Sequence, residues 1–367
     1  MSIYTKFGLR QIINGSGKMT VLGASAVPQN VADALGEAAM DYVDIEELMI
    51  AVGRKLAAFT GAEDGCPTAG AAPGIAISIA AVISGTSLTR IEKLPDSDGL
   101  KNEIILQKGH SVNFGADIAQ MIRLGGGKVI EVGQANHVEK AHIEQAITDK
   151  TAALFYIKSH HAVQKGMQSI ATMAAIAQAH QLPLIIDAAA EEDFKKYIAA
   201  GASLVVYSGG KALGGPTCGF ICGQAPLIQA CRMQYKGIGR AMKVGKEAMI
   251  GLLAALEQYD LNPDDSQSQI DRMTWLIDQF AGIDGINATI IQDEAGRSIF
   301  RAQLAFNAAI IGKSAAAIIE QLEAGNPAIY TRNYNANQGI IHIDPRPLLA
   351  GQEKIIAARI KEIINQK

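Results

Sequence analysis

Charged residues are scarce in this chain. They make up 19% of its 367 residues, below the roughly 25% of an ordinary soluble protein, while hydrophobic residues reach 49%. Such a composition buries a substantial core and excludes disorder. No excess of one sign exists either: 33 basic against 36 acidic residues give a net charge of -3. No global field therefore draws nucleic acid or an anionic membrane, and any anion site has to be local. Long apolar runs are missing. The longest, residues 71–83, is broken by Pro73 and Gly74 and falls short of the roughly 20 residues that cross a bilayer. The first twenty residues hold no apolar block like a signal-peptide core, so a cytoplasmic protein is expected. Four cysteines (Cys66, Cys218, Cys222, Cys231) with no C-x-x-C spacing make no disulfide framework and read as buried thiols. His137, Glu139 and His142 lack the H-E-x-x-H order, and no metal site is expected.

What is present is an alternation. The runs 103–107, 128–132, 152–157, 182–187 and 203–208 read as strands, and 113–124, 138–147, 169–180 and 192–200 carry helical spacing between them. Continuous apolar strands separated by helices imply a mostly parallel sheet covered on both faces, an α/β fold. A helix over 243–259 ends in DLNPDDS, which marks a boundary. Beyond it, strands at 286–292, 299–306 and 338–343 and helices at 313–324 and 350–365 form a smaller α+β unit. The expected division is 1–50, 51–262 and 263–367, with no internal repeat.

Several signatures fail by counting. Neither Gly17-Lys18 nor Gly210-Lys211 has the glycine five positions earlier that a phosphate loop needs, and no serine sits in G-x-S-x-G. GGGK at 125–128 follows a helix and precedes a strand, so it reads as a helix C-cap rather than a dinucleotide turn. Three separated pieces remain. Thr68, Ala69, Gly70 and Ala71 open an apolar helix whose first N–H groups can hold a phosphate. Asp187 ends the apolar run LPLIID, where open α/β sheets bind ligands. Lys211 lies in the glycine-rich turn after 203–208, with Ser208 three residues before it. An amine in apolar surroundings is a usable nucleophile.

Each piece alone has a structural explanation: helix packing, an N-cap, an exposed turn lysine. Together they meet the needs of pyridoxal 5'-phosphate, which takes a lysine for its aldehyde, an acid for its ring nitrogen and a helix N-terminus for its phosphate. The order, phosphate loop then Asp187 then Lys211, resembles that of fold-type-I pyridoxal-phosphate enzymes.

Within that fold the segments INGSGKMTVLGAS, IKSH, DAAAEE, SGGKALGGPTCGFICG, GRAMKVGKEAMIGLLAALE and HIDPRPL resemble the selenocysteine synthase-like branch. That branch contains the L-seryl-tRNA selenium transferases and the D-glucosaminate-6-phosphate ammonia lyases. The resemblance implies that Lys211 is the Schiff-base lysine, Asp187 the ring-nitrogen partner and Ala189 a small residue against one ring face, with His110 stacked on the other. His160 of IKSH is assigned to the cofactor, a cage or core role being its alternative. The chain begins almost at once with the segment that matches the catalytic core, which favours the lyases over the tRNA-binding transferases.

The one basic cluster, 232–246, holds Arg232, Lys236, Arg240, Lys243 and Lys246. If it is helical, Arg240 and Lys243 share a face and can clamp a substrate phosphate. Arg346 offers a planar fork to a carboxylate, and Ser16 and Lys18 lie in the first resembling segment. The expectation is a homo-oligomeric ammonia lyase acting on a small phosphorylated amino-sugar acid, with no nucleic acid or membrane partner. Racemisation, sulfur or selenium transfer, or a non-catalytic regulatory role are the alternatives.

Overall fold

The computed structural model describes residues 3–159, 162–261, 266–293 and 297–366. In chain order its strands are β1 (Ile12–Gly15), β2 (Asp64–Thr68), β3 (Glu103–Gln107), β4 (Lys128–Val132), β5 (Thr151–Ile157), β6 (Leu184–Asp187), β7 (Leu204–Ser208), β8 (Gly219–Gly223), β9 (Ile286–Gln292), β10 (Phe300–Phe306), β11 (Ala328–Thr331) and β12 (Ile340–Ile343). Contacts divide the chain into Val27–Asp260 and a smaller unit made of Met1–Ala26 with Leu261–Lys367. The segment expected as 1–50 is thus shared between the two units. The proline and acids at 262–265, read as the boundary, lie outside the described residues.

The larger unit is a seven-stranded sheet in the order β2-β8-β7-β6-β5-β3-β4. Strands β7, β6, β5, β3 and β4 run parallel, and β8 is antiparallel to both β7 and β2. Ile104, Leu154, Ile185 and Val205 have no exposed surface, as a sheet covered on both faces requires.

Helix ends follow local chemistry. Asp117 caps Ile118–Leu124 by accepting from Ala119 N at 3.0 Å, and Gly125 with Gly126 (φ +87°) stops it. This helix is shorter than the expected 113–124, because residues before Asp117 fold into a turn through Gly115 (φ +115°). Ser169 caps Ile170–Ala179 through Thr172 N at 3.1 Å. The helix Ala71–Ser84 is buried almost all round, and Pro73 in its first turn costs no hydrogen bond.

Asp64–Thr68 was not foreseen as a strand. It lies at the sheet's edge, where Pro67 is tolerated. All four cysteines are buried, and burial pushes the thiols of Cys66, Cys218 and Cys222 up to about 12. Among the described residues no helix is long and apolar enough to cross a membrane.

In the smaller unit β12-β10-β9 form an antiparallel sheet, and β1 pairs in parallel with β11. Helices Ser266–Asp278, Ala315–Ala324 and Gln352–Asn365 complete a core around Ile13, Leu304, Ile341 and Ile360.

Candidate active site

The register brings the sequence-predicted residues of the larger unit to one edge. Thr68 and Ser208 both face Gly219 across β8, while Asp187 is level with Val206 on one side and Ile157 on the other. The carboxyl ends of β2, β3, β5, β6 and β7 therefore share the edge from which His110, Asp187 and Lys211 emerge. Ligands of open α/β sheets bind at such an edge.

Asp187 is the last residue of β6 and only 7% exposed. Its Oδ1 accepts from Ala189 N at 3.1 Å. Burial raises its carboxyl to about 6, against the opposing pull of the Ala189 N–H and the Lys211 charge. The half-buried Ala189 accepts from Ser208 N at 3.3 Å, which ties the loop after β6 to the end of β7.

Lys211 sits half-buried in a turn closed by Gly209 N to Cys218 O and Gly215 N to Gly209 O, both 2.9 Å. Glycine at 209 is a packing necessity, since a Cβ there would lie 2.4 Å from Cys218 Sγ. Gly219 has the same role toward the helix Ala71–Ser84, where a Cβ would meet Gly70 C at 2.5 Å and Ala71 N at 2.8 Å. Both are backbone atoms and cannot rotate away. Thr68 donates its hydroxyl to Gly70 O at 2.8 Å and so shapes the turn that starts the helix. The first intrahelical bond is Gly74 N to Gly70 O, and the N–H groups of the opening turn point out of the helix end.

His110 closes the single 3-10 turn after β3 and is fully buried. Ile157 N donates to its Nδ1 at 3.3 Å, which leaves the ring proton on Nε2. Nε2 has no hydrogen-bond partner among the described residues. Burial pushes the imidazole down to about 4 against the pull of the Val163 backbone, so it is neutral at ordinary pH. Its ring meets Tyr156 edge-on at 4.5 Å, and it presents no exposed face of the kind expected for stacking. His160 lies outside the described residues.

The basic cluster differs from its helical expectation. Arg240 falls in the 3-10 turn Ile238–Met242, and Lys243 is already extended (φ -62°, ψ 139°), because Gly237, Gly239 and Gly245 interrupt the helix. The two side chains are exposed but share no helical face. Arg232 is committed to Asp64 and to Gly65 O, and Lys246 to Ala38 O and Glu247.

In the smaller unit Arg346 grips the buried Asp344 with Nε at 3.0 Å and Nη2 at 2.8 Å. Arg301 takes the same carboxylate at 3.0 Å, and also Asp293 at 2.9 Å. Burial alone would raise Asp344, but Arg346 and Arg301 hold it at about 2. Ser16 is buried, its N–H bonded to Asn14 Oδ1 at 3.0 Å, and Lys18 is half-buried in the same loop. Sequence reading passed over Gly219 and Arg332. Gly219 stands at the first position of the apolar run GFIC, and Arg332 directly follows AIYT; only the strands' partners give them meaning.

This sheet order, with a lysine turn, a strand-end aspartate and a helix N-terminus on one edge, is the fold-type-I architecture of pyridoxal-phosphate enzymes. The chain belongs to the L-seryl-tRNA selenium transferase family, which matches residues 12–318. It is 45% identical to the D-glucosaminate-6-phosphate ammonia lyase of Salmonella typhimurium, covering 99% of this chain and 98% of that one. A 5'-C-glycyluridine monooxygenase-decarboxylase of a Streptomyces species is 43% identical over 98% of this chain and 92% of its own. A solved structure of a D-glucosaminate-6-phosphate ammonia-lyase superposes with a TM-score of 0.95 at 44% identity, covering 99% of this chain and 98% of that one.

Proposed function

We propose that the chain binds pyridoxal phosphate at Lys211 and removes ammonia from a phosphorylated 2-amino sugar acid, D-glucosaminate 6-phosphate, leaving 2-keto-3-deoxy-6-phosphogluconate. The observation that carries this reading is the buried Asp187 carboxyl, raised by burial and within reach of the Lys211 charge. A carboxylate so placed suits a ring N–H as its partner. The close approach of Gly219 to the backbone of Gly70 and Ala71 also fits a phosphate held at the helix start. The 45% identity to the Salmonella lyase supports the reaction.

When bound, the cofactor supplies an aldehyde for amines and a protonated ring that makes the neighbouring Cα–H acidic. Asp187 accepts the ring N–H and keeps that proton in place. Ser208 and the N–H groups of residues 69–72 hold the phosphate, and Ala189 leaves room for the ring. Lys211 Nζ would hold the cofactor's aldehyde and, as a free amine, would be the base placed to take the Cα proton. The 3-hydroxyl leaves as water and one water returns at C2, so the net loss is ammonia alone. Ser16, Lys18, Arg240, Lys243 and Arg346 are proposed as contacts for the substrate's anionic groups, and the working form as a cytoplasmic homo-oligomer.

Purified protein given D-glucosaminate 6-phosphate should release ammonia and a 2-keto acid in equal amounts. Retained amine with inverted Cα would replace the reading with a racemase. The 43% identity to the Streptomyces protein favours one second reading, oxygen-dependent decarboxylation of an amino acid joined to a nucleoside. Oxygen uptake with such a substrate, and no ammonia from the sugar acid, would establish it.

A further inference from the structure

Residues 188–195, between β6 and the short helix Lys196–Ala199, form neither helix nor strand. This loop begins directly after Asp187 and carries Ala189, whose N–H holds the Asp187 carboxylate at 3.1 Å. Its far half is fastened by tyrosine hydroxyls from three different elements. Tyr259, in the helix Lys246–Leu261, donates to Glu192 O at 2.9 Å. Tyr197, in the helix Lys196–Ala199, donates to the Glu191 carboxylate. Tyr207 of β7 shares its hydroxyl between Asp193 O at 3.4 Å and Phe194 O at 3.3 Å.

Packing alone does not require these hydroxyls. Phe194 sits among the rings of Phe59 at 5.1 Å, Tyr207 at 4.9 Å and Tyr259 at 5.2 Å, and the first of these neighbours is itself a phenylalanine. Phenylalanine at 197, 207 or 259 would fill the same core, whereas a buried hydroxyl is costly unless it is bonded. Tyr197 and Tyr207 are almost wholly buried, and each of the three tyrosines directs its hydroxyl to residues 191–194. The anchored half then fixes the other: Glu191 N donates to Ala188 O at 3.0 Å, and Ser208 N to Ala189 O at 3.3 Å. Backbone and hydrogen bonds thus run without a break from the tyrosines to the Asp187 carboxylate.

We propose that Tyr197 and Tyr259, seconded by Tyr207, are positioning residues for the cofactor ring: by fastening residues 191–194 they set the Ala189 N–H, and with it the orientation of the Asp187 carboxylate toward the ring nitrogen. The role rests on the proposed function, since it needs a ring beside Asp187. The longer bonds of Tyr207 make it the lesser contributor.

The test compares the purified holoenzyme of the wild type, Tyr197→Phe, Tyr259→Phe, Glu191→Ala and Glu191→Gln. Its visible absorbance band is followed against pH and, separately, against dilution of free pyridoxal phosphate. Each Tyr→Phe variant should weaken cofactor affinity about threefold to tenfold. It should also move the pH midpoint of the band up by about half a unit or more, since a ring that loses its proton no longer opposes a second positive charge beside it. Glu191→Ala should repeat the Tyr197→Phe shift, and Glu191→Gln, which keeps an oxygen for the tyrosine, should stay at the wild-type values. A lower melting temperature with both titrations unchanged would reduce the tyrosines to core packing and overturn the role. If Tyr259→Phe fails to fold, Tyr197→Phe and the two Glu191 variants decide the outcome. A wild type without a visible band would overturn the lyase reading and the role with it, whereas a wild-type band that no variant moves overturns the role alone.

Discussion

Asp187 and Lys211 oppose one another at the same sheet edge: one ends β6, the other lies three residues past the end of β7, and the lysine's charge pulls down a carboxyl that burial lifts to about 6. Because this value is raised above the ordinary 3.8, the group's contribution to stability is full below 3.8 and is lost as pH climbs through about 6. Cofactor-free wild type should therefore lose stability across that window, and Asp187→Asn should not. Above it the variant should be the more stable by on the order of 2–3 kcal/mol, although inactive. Parallel melting curves of the two proteins against pH check this.

Lys211→Ala should abolish the visible absorbance of the purified protein and lower ammonia release by about 10²–10⁴-fold. Borohydride reduction of the wild type followed by peptide mass mapping should place the adduct on residue 211. An adduct elsewhere would remove Lys211 from its role.

Gly219→Ala tests the close approach of β8 to the helix start. The new Cβ would meet backbone at 2.5 and 2.8 Å, so Gly70 and Ala71 must shift. The expected cost is about 1–3 kcal/mol of stability, with cofactor affinity at least tenfold weaker by spectroscopic titration. Unaltered affinity would mean that the helix start takes no part in holding the phosphate.

Asp344→Asn leaves Arg301 and Arg346 without their shared acceptor and should cost about 3–5 kcal/mol in urea unfolding at neutral pH. Since Arg346 and Arg301 hold the wild-type group at about 2, its stabilisation is present above 3.8 and is lost as pH falls through about 2. The variant should lack that acid limb.

How much of this was legible beforehand differed by kind of interaction. Strands such as 103–107, 152–157 and 203–208 announce themselves because burial on both faces demands unbroken apolar runs. Asp187 and Lys211 stood out because charged groups beside such runs need a reason to be there. By contrast, β2 reads DGCPT, and its strand character comes from pairing with β8, more than 150 residues away. Arg232 reads as a member of the basic cluster, yet its partner Asp64 lies 168 residues earlier. His110 was read as a stacking residue from the resemblance alone, and no local pattern could show that Ile157 would fix its tautomer. Arg332 needed the fold before its bonds to His342 and its place over Tyr334 could be seen.

That pairing also orders events during synthesis. Val27–Asp260 is one continuous stretch, and it can collapse while the ribosome is still translating. Ile12–Gly15 cannot be completed until Ala328–Thr331 emerges, more than 300 residues later. Nascent chains arrested before residue 328 should leave Ile12–Gly15 open to proteases, and emergence of Ala328–Thr331 should close it.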